Sequence, residues 1–215
     1  MAVSNEHVED YPYADGKLLV LAKTPVLQHV KTRLAADIGD EAALDVYKQL
    51  LETTLKTVVS SKLLPVELWL DTDQQNDWLE DLVDRYAVSV QQQSGSDLGE
   101  RMADAICKTL KAAEFCILIG VDCPLLDVNY INSACIALQD GAEIVIGPAE
   151  DGGYVLVGMK NYKPELFTSI AWSTASVMQQ TRQIMEQKKW QFEELAVLWD
   201  IDHLANYQRW IELRT

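Results

Sequence analysis

The sequence has 215 residues, of which 48% are hydrophobic and 24% charged, a balance typical of a globular protein with one sizeable core. Its formal net charge of -15 disfavours nucleic acids and anionic membranes as partners, because phosphate-rich surfaces repel an acidic protein. No apolar run is long enough to cross a bilayer, and the acidic N-terminal segment lacks the features of a secretory signal. We therefore expect a cytoplasmic protein without a membrane partner.

The first 16 residues are polar and acidic, and they predict a flexible N-terminal tail. Residues 17–215 contain no linker, repeat or low-complexity tract, which predicts a single domain. The four cysteines form no CxxC pair, and at least three of them lie in apolar segments. They are expected to be buried, reduced thiols rather than zinc ligands.

Short apolar segments alternate with amphipathic helical segments along this domain. Strands are predicted at 17–22, 65–71, 87–91, 115–121, 143–149, 154–159 and 192–200. Helices are predicted at 39–61, 75–86, 98–113, 127–138, 174–189 and from residue 203 onward. The alternation predicts a three-layer α/β/α sandwich with a mainly parallel mixed sheet. Ligands of such sheets bind beyond the carboxyl ends of the strands, which directs attention to the residues that follow each strand.

The segment AKTPVLQHVKTRLA follows the first predicted strand and is basic. The window 17–36 holds four basic residues and no acidic one, although the chain as a whole is strongly acidic. The segment has neither a GxGxxG nor a GxxxxGK[ST] motif, so a Rossmann site or a P-loop is not expected. It places Lys23, Lys31 and Arg33 near the end of a strand, which predicts phosphate binding. The alternative is a solvated basic loop.

The segment IGVDCPLL ends a fully apolar strand in a carboxylate. Burial of an unpaired carboxylate is costly, so Asp122 should have an ion pair, hydrogen bonds or a metal as partner. We favour a magnesium or manganese ion that also binds substrate phosphates. The alternative is a helix N-cap, a role that we assign instead to Asp127. Cys123 is expected to be a packed thiol rather than a nucleophile.

Two DxD patterns occur, LWLDTD with Asp71 and Asp73, and LWDID with Asp200 and Asp202. Asp73 precedes a predicted helix and is expected to cap it. The C-terminal pair could fold back to complete a metal site begun by Asp122, although Asp202 could equally cap the C-terminal helix.

Two further loops hold candidate ligand-binding residues. In GSDLGERM, Asp97 and Gly99 lie at a loop-to-helix junction, where backbone N–H groups are free to bind a ligand, although a capping aspartate in a flexible loop is an equally good explanation. In GPAEDGGY, a turn explains the glycines but not Glu150. Glu150 and Asp151 could bind hydroxyl groups or act as a base.

Six motifs, taken in order, resemble one bacterial family. They are LLVLAKTPVLQHVKTRLA, SGSDLGERMADA, ILIGVDCPLL, IGPAEDGGYVLVGM, IAWST and DIDHLANY, and the match as a whole extends over residues 17–209. The family is that of the rSAM/selenodomain-associated transferases of type one, which also has a domain-of-unknown-function label. It resembles the GT-A nucleotide-diphospho-sugar transferases and, more distantly, guanylyltransferases that build molybdenum-cofactor intermediates. The resemblance implies a GT-A fold.

The same resemblance implies roles for the nucleotide-binding candidates. Lys23, Lys31 and Arg33 would bind the phosphates of a nucleotide. Asp97 and Gly99 would lie near its base or ribose.

The resemblance also implies a metal site and an acceptor side. Asp122 stands where GT-A enzymes have their metal-binding aspartate, and Asp202 where related nucleotidyltransferases have a second ligand. Both are expected to bind Mg²⁺ or Mn²⁺. Glu150 and Asp151 would face an acceptor and position or deprotonate its hydroxyl. One position departs from the family, since Gln28 stands where a glycine is expected.

These inferences predict a divalent-metal-dependent transferase that uses a nucleotide-activated donor and a small-molecule acceptor, with glycosyl transfer favoured. One alternative is a nucleotidyltransferase that attacks a nucleoside triphosphate and releases pyrophosphate. Another is a non-catalytic nucleotide-binding module.

Overall fold

The strands and helices alternate along the chain in the computed structural model, which describes residues 11–168 and 170–214. The strands are β1 (Gly16–Ala22), β2 (Val66–Leu70), β3 (Ser89–Gln92), β4 (Phe115–Ile119), β5 (Ile144–Pro148), β6 (Tyr154–Met159) and β7 (Phe192–Glu194). The α-helices are α1 (Thr32–Ile38), α2 (Asp40–Ser61), α3 (Asp77–Tyr86), α4 (Leu98–Thr109), α5 (Val128–Gln139), α6 (Val177–Lys188) and α7 (Leu204–Glu212), with a 3₁₀ turn at Pro164–Leu166.

The strands form one mixed sheet in the order β3-β2-β1-β4-β6-β5-β7. Every neighbouring pair is parallel except those of β6, which runs antiparallel to β4 and to β5. The exception follows from the connection, because β5 and β6 are joined by a short turn, whereas parallel neighbours need a longer crossover. The prediction of a mainly parallel mixed sheet is confirmed.

Both faces of the sheet are covered by helices. Leu18 and Val20 of β1 belong to one apolar cluster, and Leu19 and Leu21 belong to a second cluster on the opposite face. Helices α2, α3 and α5 contribute to the first cluster, and α4 and α6 contribute to the second. This arrangement confirms the three-layer sandwich and explains why the central strand β4 is apolar at every position.

The order of the strands reverses between β1 and β4. From β1 the chain adds β2 and then β3 on one side, and β4 then pairs with the other side of β1. Such a reversal opens a crevice at the carboxyl ends of the two strands, because their following loops diverge. The segments after β1 and β4 are the ones in which the sequence placed its phosphate-binding and metal-binding candidates.

Several boundaries differ from the predictions. The last strand has three residues rather than the predicted nine, and residues 195–202 form an irregular segment. A short helix, α1, lies within what was predicted as a loop, and it is separated from α2 by Gly39, whose φ of 88° favours glycine. The C-terminal helix begins after His203, close to its predicted start.

The predicted flexible tail at 1–16 falls largely outside the described residues. Within the described part, β1 already begins at Gly16. The backbone N–H of Tyr13 donates to the carbonyl of Leu63 at 3.1 Å, and its hydroxyl donates to Asn132 at 2.8 Å. The chain is therefore anchored before residue 17. None of the helices within 11–168 and 170–214 has the length and apolarity needed to span a membrane.

Gln28 adopts a backbone conformation that favours glycine. Its φ of 65° lies in the left-handed region, which costs a residue with a Cβ about 1–2 kcal/mol. Its side-chain amide donates to Asp40 at 2.9 Å. The departure from the family noted at this position therefore has a structural meaning, since a glycine would adopt this turn without strain.

Replacing Gln28 with glycine should relieve this strain. Gln28→Ala is the matched control, because it loses the same hydrogen bond to Asp40 but keeps a Cβ. We expect the glycine variant to have a free energy of unfolding in urea about 1 kcal/mol higher than that of the alanine variant. Equal stability of the two variants, or a more stable alanine variant, would contradict this explanation.

Candidate functional site

An open cleft lies at the carboxyl ends of β1 and β4. Its volume of about 740 Å³ lies within the range of small-ligand sites. Five segments line it: the loop after β1, the start of α4, the residues after β4, the β5–β6 turn with β6, and the segment before α6. The lining also includes Tyr47 of α2, Gln93 after β3, and Asp200 and Asp202, which precede α7.

Buried groups fix the start of the loop after β1. The hydroxyl of Tyr47 accepts a hydrogen bond from the backbone N–H of Lys23 at 2.7 Å and donates to its carbonyl at 2.9 Å. The backbone N–H of Thr24 donates to Asp71 at 2.8 Å. Burial raises the pKa of Tyr47 well above its ordinary value, and the nearby charge of Asp122 raises it further, so the hydroxyl remains a donor. The loop therefore leaves β1 in a defined direction.

Asp122 forms an ion pair with Lys31 of the basic loop, which is the segment of residues 23–33 that follows β1. The Nζ atom of Lys31 lies 2.7 Å from Asp122 Oδ1 and 3.4 Å from Asp202 Oδ1, and it donates to the carbonyl of Ile201 at 2.5 Å. The Lys31 side chain is only 3% exposed, whereas that of Asp122 is 44% exposed. Asp122 is not a helix cap, because Asp127 caps α5 by accepting the N–H of Tyr130 at 2.8 Å, as predicted.

One oxygen of Asp122 is incompletely satisfied. Its Oδ1 atom is buried and accepts no hydrogen bond within 11–168 and 170–214, although Lys31 Nζ lies at ion-pair distance. The ammonium attracts this oxygen by charge but approaches it outside hydrogen-bonding angles. A buried carboxylate oxygen without a hydrogen bond is costly, and its presence in a cleft suggests a further ligand.

Asp202 reaches the same place from the other end of the chain. Its Oδ2 atom accepts a hydrogen bond from Arg33 at 2.9 Å. The backbone N–H of buried Ile201 donates to the carbonyl of Asp122 at 2.9 Å, which fixes the segment beside the end of β4. The N-cap of α7 is His203, so Asp202 is not the helix cap that the sequence left open.

Asp200, the other aspartate of the C-terminal pair, also lines the cleft, although only Asp202 was predicted as a metal ligand. Burial, together with the negative charges of Asp151 and Asp202, raises the pKa of its carboxyl group to about 6. The LWDID pattern pointed to both aspartates, but the sequence could not tell how deeply either would be buried. The structure adds Asp200 to a corner of the cleft that is rich in carboxylates.

The structure separates the two acids of the β5–β6 turn. Asp151 lines the cleft, and its Oδ1 atom accepts the N–H of Gly153 at 2.8 Å. Glu150 does not line the cleft, and its carboxylate instead pairs with Arg209 of α7 at 2.8 Å. The expectation that both acids face an acceptor is therefore corrected for Glu150, because the side chains of adjacent residues in this turn diverge.

The 97–99 segment also divides into two roles. Asp97 lines the cleft and caps α4 by accepting the N–H of Glu100 at 2.8 Å. Gly99 is buried and does not line the cleft, which corrects the expectation that it approaches a base or ribose. A Cβ at Gly99 would lie 2.1 Å from Nε1 of Trp172, so its absence makes room for the indole. Trp172 itself lines the cleft and makes an edge-to-face contact with Tyr154.

Cys123 is a packed thiol, as predicted. It is 6% exposed, and burial raises its pKa to about 11, so almost no thiolate forms near neutral pH. Asp73 does not cap α3, because the capping side chain is that of Asn76, which accepts the N–H of Leu79 at 3.0 Å.

The residues at the cleft fit a cation that a substrate helps to bind. No three His, Cys, Asp or Glu side chains in the described part of the chain form a complete cation site. Mg²⁺ is usually bound by one or two carboxylates together with substrate phosphates, so a complete protein site is not required. The carboxylates of Asp122 and Asp202 both lie within 3.4 Å of the Lys31 ammonium, and Asp122 Oδ1 accepts no hydrogen bond from the described residues.

A model of the family DUF2064, described as an uncharacterized protein conserved in bacteria, matches residues 54–174. No curated protein is significantly similar in sequence to this chain. A solved structure from Desulfovibrio desulfuricans, named a nucleotide-diphospho-sugar transferase, is 27% identical. It has a TM-score of 0.80, and the match covers 88% of this chain and 83% of that protein.

Two more distant structures share the fold alone. The 4-diphosphocytidyl-2C-methyl-D-erythritol synthase of Anaerococcus prevotii is 13% identical with a TM-score of 0.62, and the match covers 93% of this chain and 96% of that one. The glucosyl-3-phosphoglycerate synthase of Mycobacterium tuberculosis, solved with Mn²⁺, uridine diphosphate and glucosyl-3-phosphoglycerate, is 9% identical with a TM-score of 0.55. That match covers 90% of this chain and 74% of that one. The fold is that of the GT-A nucleotide-diphospho-sugar transferases, as predicted.

Substitution of Gly99 should disturb the wall of the cleft. Gly99→Ala places a methyl group against Trp172, and such overpacking costs about 1–3 kcal/mol even though alanine favours a helix. Gly120→Ala is the control, because no atom lies within 4 Å of its added Cβ. We expect the Gly99 variant to have the lower free energy of unfolding in urea. A Gly99 variant at least as stable as the Gly120 variant would contradict the packing role.

Proposed function

The chain belongs to the DUF2064 family, and we propose that it is a divalent-metal-dependent transferase with a nucleotide-activated donor. The favoured reaction is glycosyl transfer to a small-molecule acceptor. The structural neighbours are transferases, among them a nucleotide-diphospho-sugar transferase 27% identical to this chain, and they support the general class of activity. Membership of the narrower rSAM/selenodomain-associated group remains a prediction from the motifs.

The observation that supports this proposal most strongly is the convergence of three distant segments at the switch point of the sheet. The loop after β1 contributes Lys31 and Arg33, the end of β4 contributes Asp122, and the segment before α7 contributes Asp202. Basic and acidic side chains within 3.4 Å of one another provide partners for both a diphosphate and a cation. A purely structural ion pair would not require a cleft of this size.

Asp122 and Asp202 are proposed to bind Mg²⁺ or Mn²⁺ together with the donor diphosphate. The cation, when bound, would supply Lewis-acid stabilisation of the charge that develops on the leaving phosphate. Lys23 and Arg33 of the basic loop are exposed at the cleft, and their positive charges would stabilise the same negative charge on the leaving phosphate. Asp97, on the α4 side, is proposed to lie near the base or ribose.

Asp151 is proposed to act on the acceptor side. It lines the cleft from the turn between β5 and β6, near Asp200. The backbone N–H of Gly153 donates to its Oδ1 atom and so orients the carboxylate. A carboxylate in this position could accept a hydrogen bond from an acceptor hydroxyl and remove its proton as the bond to the donor forms. Trp172 and Tyr154 provide an apolar wall against which an acceptor could pack.

A nucleotidyltransferase is the second candidate function. The same cleft would serve it, because Lys23, Lys31 and Arg33 of the basic loop line it and are suited to contact phosphates. One neighbour of the same fold is named a diphosphocytidyl-methylerythritol synthase, and another is a glucosyl transferase solved with Mn²⁺. Product analysis distinguishes the two reactions, since pyrophosphate indicates nucleotidyl transfer and a nucleoside diphosphate indicates glycosyl transfer. Nucleotide binding without turnover on any acceptor would indicate a non-catalytic module.

A thermal-shift screen tests the metal assignment. A nucleotide or nucleotide sugar at 100 times its dissociation constant should stabilise the protein by roughly 2.7 kcal/mol, and Mn²⁺ should increase the shift. Asp122→Asn should abolish the part of the shift that depends on Mn²⁺. Glu150→Gln removes a neighbouring carboxylate outside the cleft and is the matched control. An Asp122 variant that keeps the full response to Mn²⁺ would show that the metal site is misassigned.

Substitution of Asp151 tests the acceptor assignment. Asp151→Asn keeps an oxygen that can accept the N–H of Gly153 but removes the base, so it should lower turnover by about 100-fold or more. The dissociation constant of the donor, measured by calorimetry, should change by less than about threefold because the donor phosphates bind elsewhere in the cleft. Unchanged turnover would exclude Asp151 as the base.

A further inference from the structure

Lys31 occupies the space between the two carboxylates that are proposed to bind the metal. Its ammonium lies 2.7 Å from Asp122 Oδ1 and 3.4 Å from Asp202 Oδ1. It also donates to the carbonyl of Ile201, so three oxygen atoms surround it. A divalent cation bound to the same two carboxylates needs oxygen ligands at roughly 2.0–2.6 Å. An ammonium and a divalent cation cannot share this position, because their like charges would be in direct contact.

The side chain of Lys31 is held in this position by its backbone and its burial. Lys31 is the N-cap of α1 and has a φ of 48°, a left-handed conformation that is unfavourable for a residue with a Cβ. Its side chain is 3% exposed, although lysine is almost always solvated. Lys23, by contrast, lies on the same loop and lines the same cleft, but it is exposed, and its ammonium donates to the carbonyl of His29 at 3.3 Å.

We propose that Lys31 competes with the metal for Asp122 and Asp202, and that its displacement couples metal binding to donor binding. This inference rests on the proposed function for the identity of the second ligand. In the absence of a donor, the ammonium neutralises the carboxylates and weakens cation binding. A donor diphosphate offers the ammonium new oxygen partners, so it releases the carboxylates for the cation. By linkage, each ligand then increases the affinity for the other by the same factor.

The competition predicts that loss of Lys31 increases metal affinity when no nucleotide is present. The probe is Mn²⁺ alone, and free Mn²⁺ is measured by electron paramagnetic resonance. A charge-assisted contact of this kind is worth roughly a tenfold change in affinity or more, so Lys31→Met should bind Mn²⁺ at least about tenfold more tightly than the wild type. Lys23→Met removes an equal charge from the same cleft without a contact to either carboxylate and is the control for long-range electrostatics.

The double variant with Lys31→Met and Asp122→Asn should lose the increase in Mn²⁺ affinity that Lys31→Met alone shows. This loss would place the additional Mn²⁺ binding at Asp122. Mn²⁺ binding by Lys31→Met that is no tighter than by Lys23→Met would overturn the proposal. A melting curve of each variant shows whether it is folded.

A second measurement uses the wild-type protein, so it remains valid if Lys31→Met does not fold. Reductive methylation followed by mass spectrometry reports how accessible each amine is. Lys31 should react at least tenfold more slowly than Lys23 without metal, and saturating Mn²⁺ should raise the rate for Lys31 alone. Mn²⁺ binding that depends on Asp122 but leaves the Lys31 rate unchanged would overturn the proposal.

The two proposals can fail separately. If Mn²⁺ binds more tightly to Lys31→Met but no nucleotide alters the melting temperature of the wild type, the competition stands and the proposed transferase function fails. If nucleotide and Mn²⁺ stabilise the wild type together but Lys31→Met gains no affinity over Lys23→Met, the function stands and the competition fails.

Discussion

The ion pair between Lys31 and Asp122 connects the parts of the chain that form the cleft. Lys31 belongs to the loop after β1, and Asp122 follows β4. A hydrogen bond from the backbone N–H of Ile201 to the carbonyl of Asp122 connects the segment before α7 to them. The protein has a net charge of -15, so an anionic donor is repelled unless positive charge is concentrated locally. The basic loop provides that charge, and a cation bound to the carboxylates would add to it. The buried ammonium is therefore central to both the structure of the cleft and its proposed chemistry.

The sequence predicted the features that depend on local patterns. The run FCILI is apolar at every position because both faces of the central sheet are covered. The alternation of such apolar runs with amphipathic helical segments predicted the three layers correctly. Asp122 was found because a carboxylate directly after such a run requires a partner. The capping role of Asp127 followed from its position before a helix. The resemblance marked Gln28 as a departure from the family, but it did not predict the left-handed backbone found there.

Side-chain direction and long-range contacts could not be predicted. Adjacent Glu150 and Asp151 looked equivalent in sequence, but only the fold places Arg209 of α7 beside one and the cleft beside the other. Gly99 suggested close approach to a ligand, whereas the space that it leaves is filled by Trp172, which is distant in sequence. Lys31 was predicted to bind phosphate, but its burial between two carboxylates depends on a contact with Asp202, about 170 residues away in the chain.

Diffraction from crystals grown with Mn²⁺ and a nucleoside diphosphate, collected at a wavelength where manganese scatters anomalously, would locate both the cation and the Lys31 ammonium in the cleft. We predict an anomalous peak between the carboxylates of Asp122 and Asp202, at about 2.0–2.6 Å from their oxygens, with the Lys31 ammonium moved onto the phosphates. A peak at another place in the cleft, or a Lys31 side chain that still bridges the two carboxylates beside bound nucleotide, would contradict it.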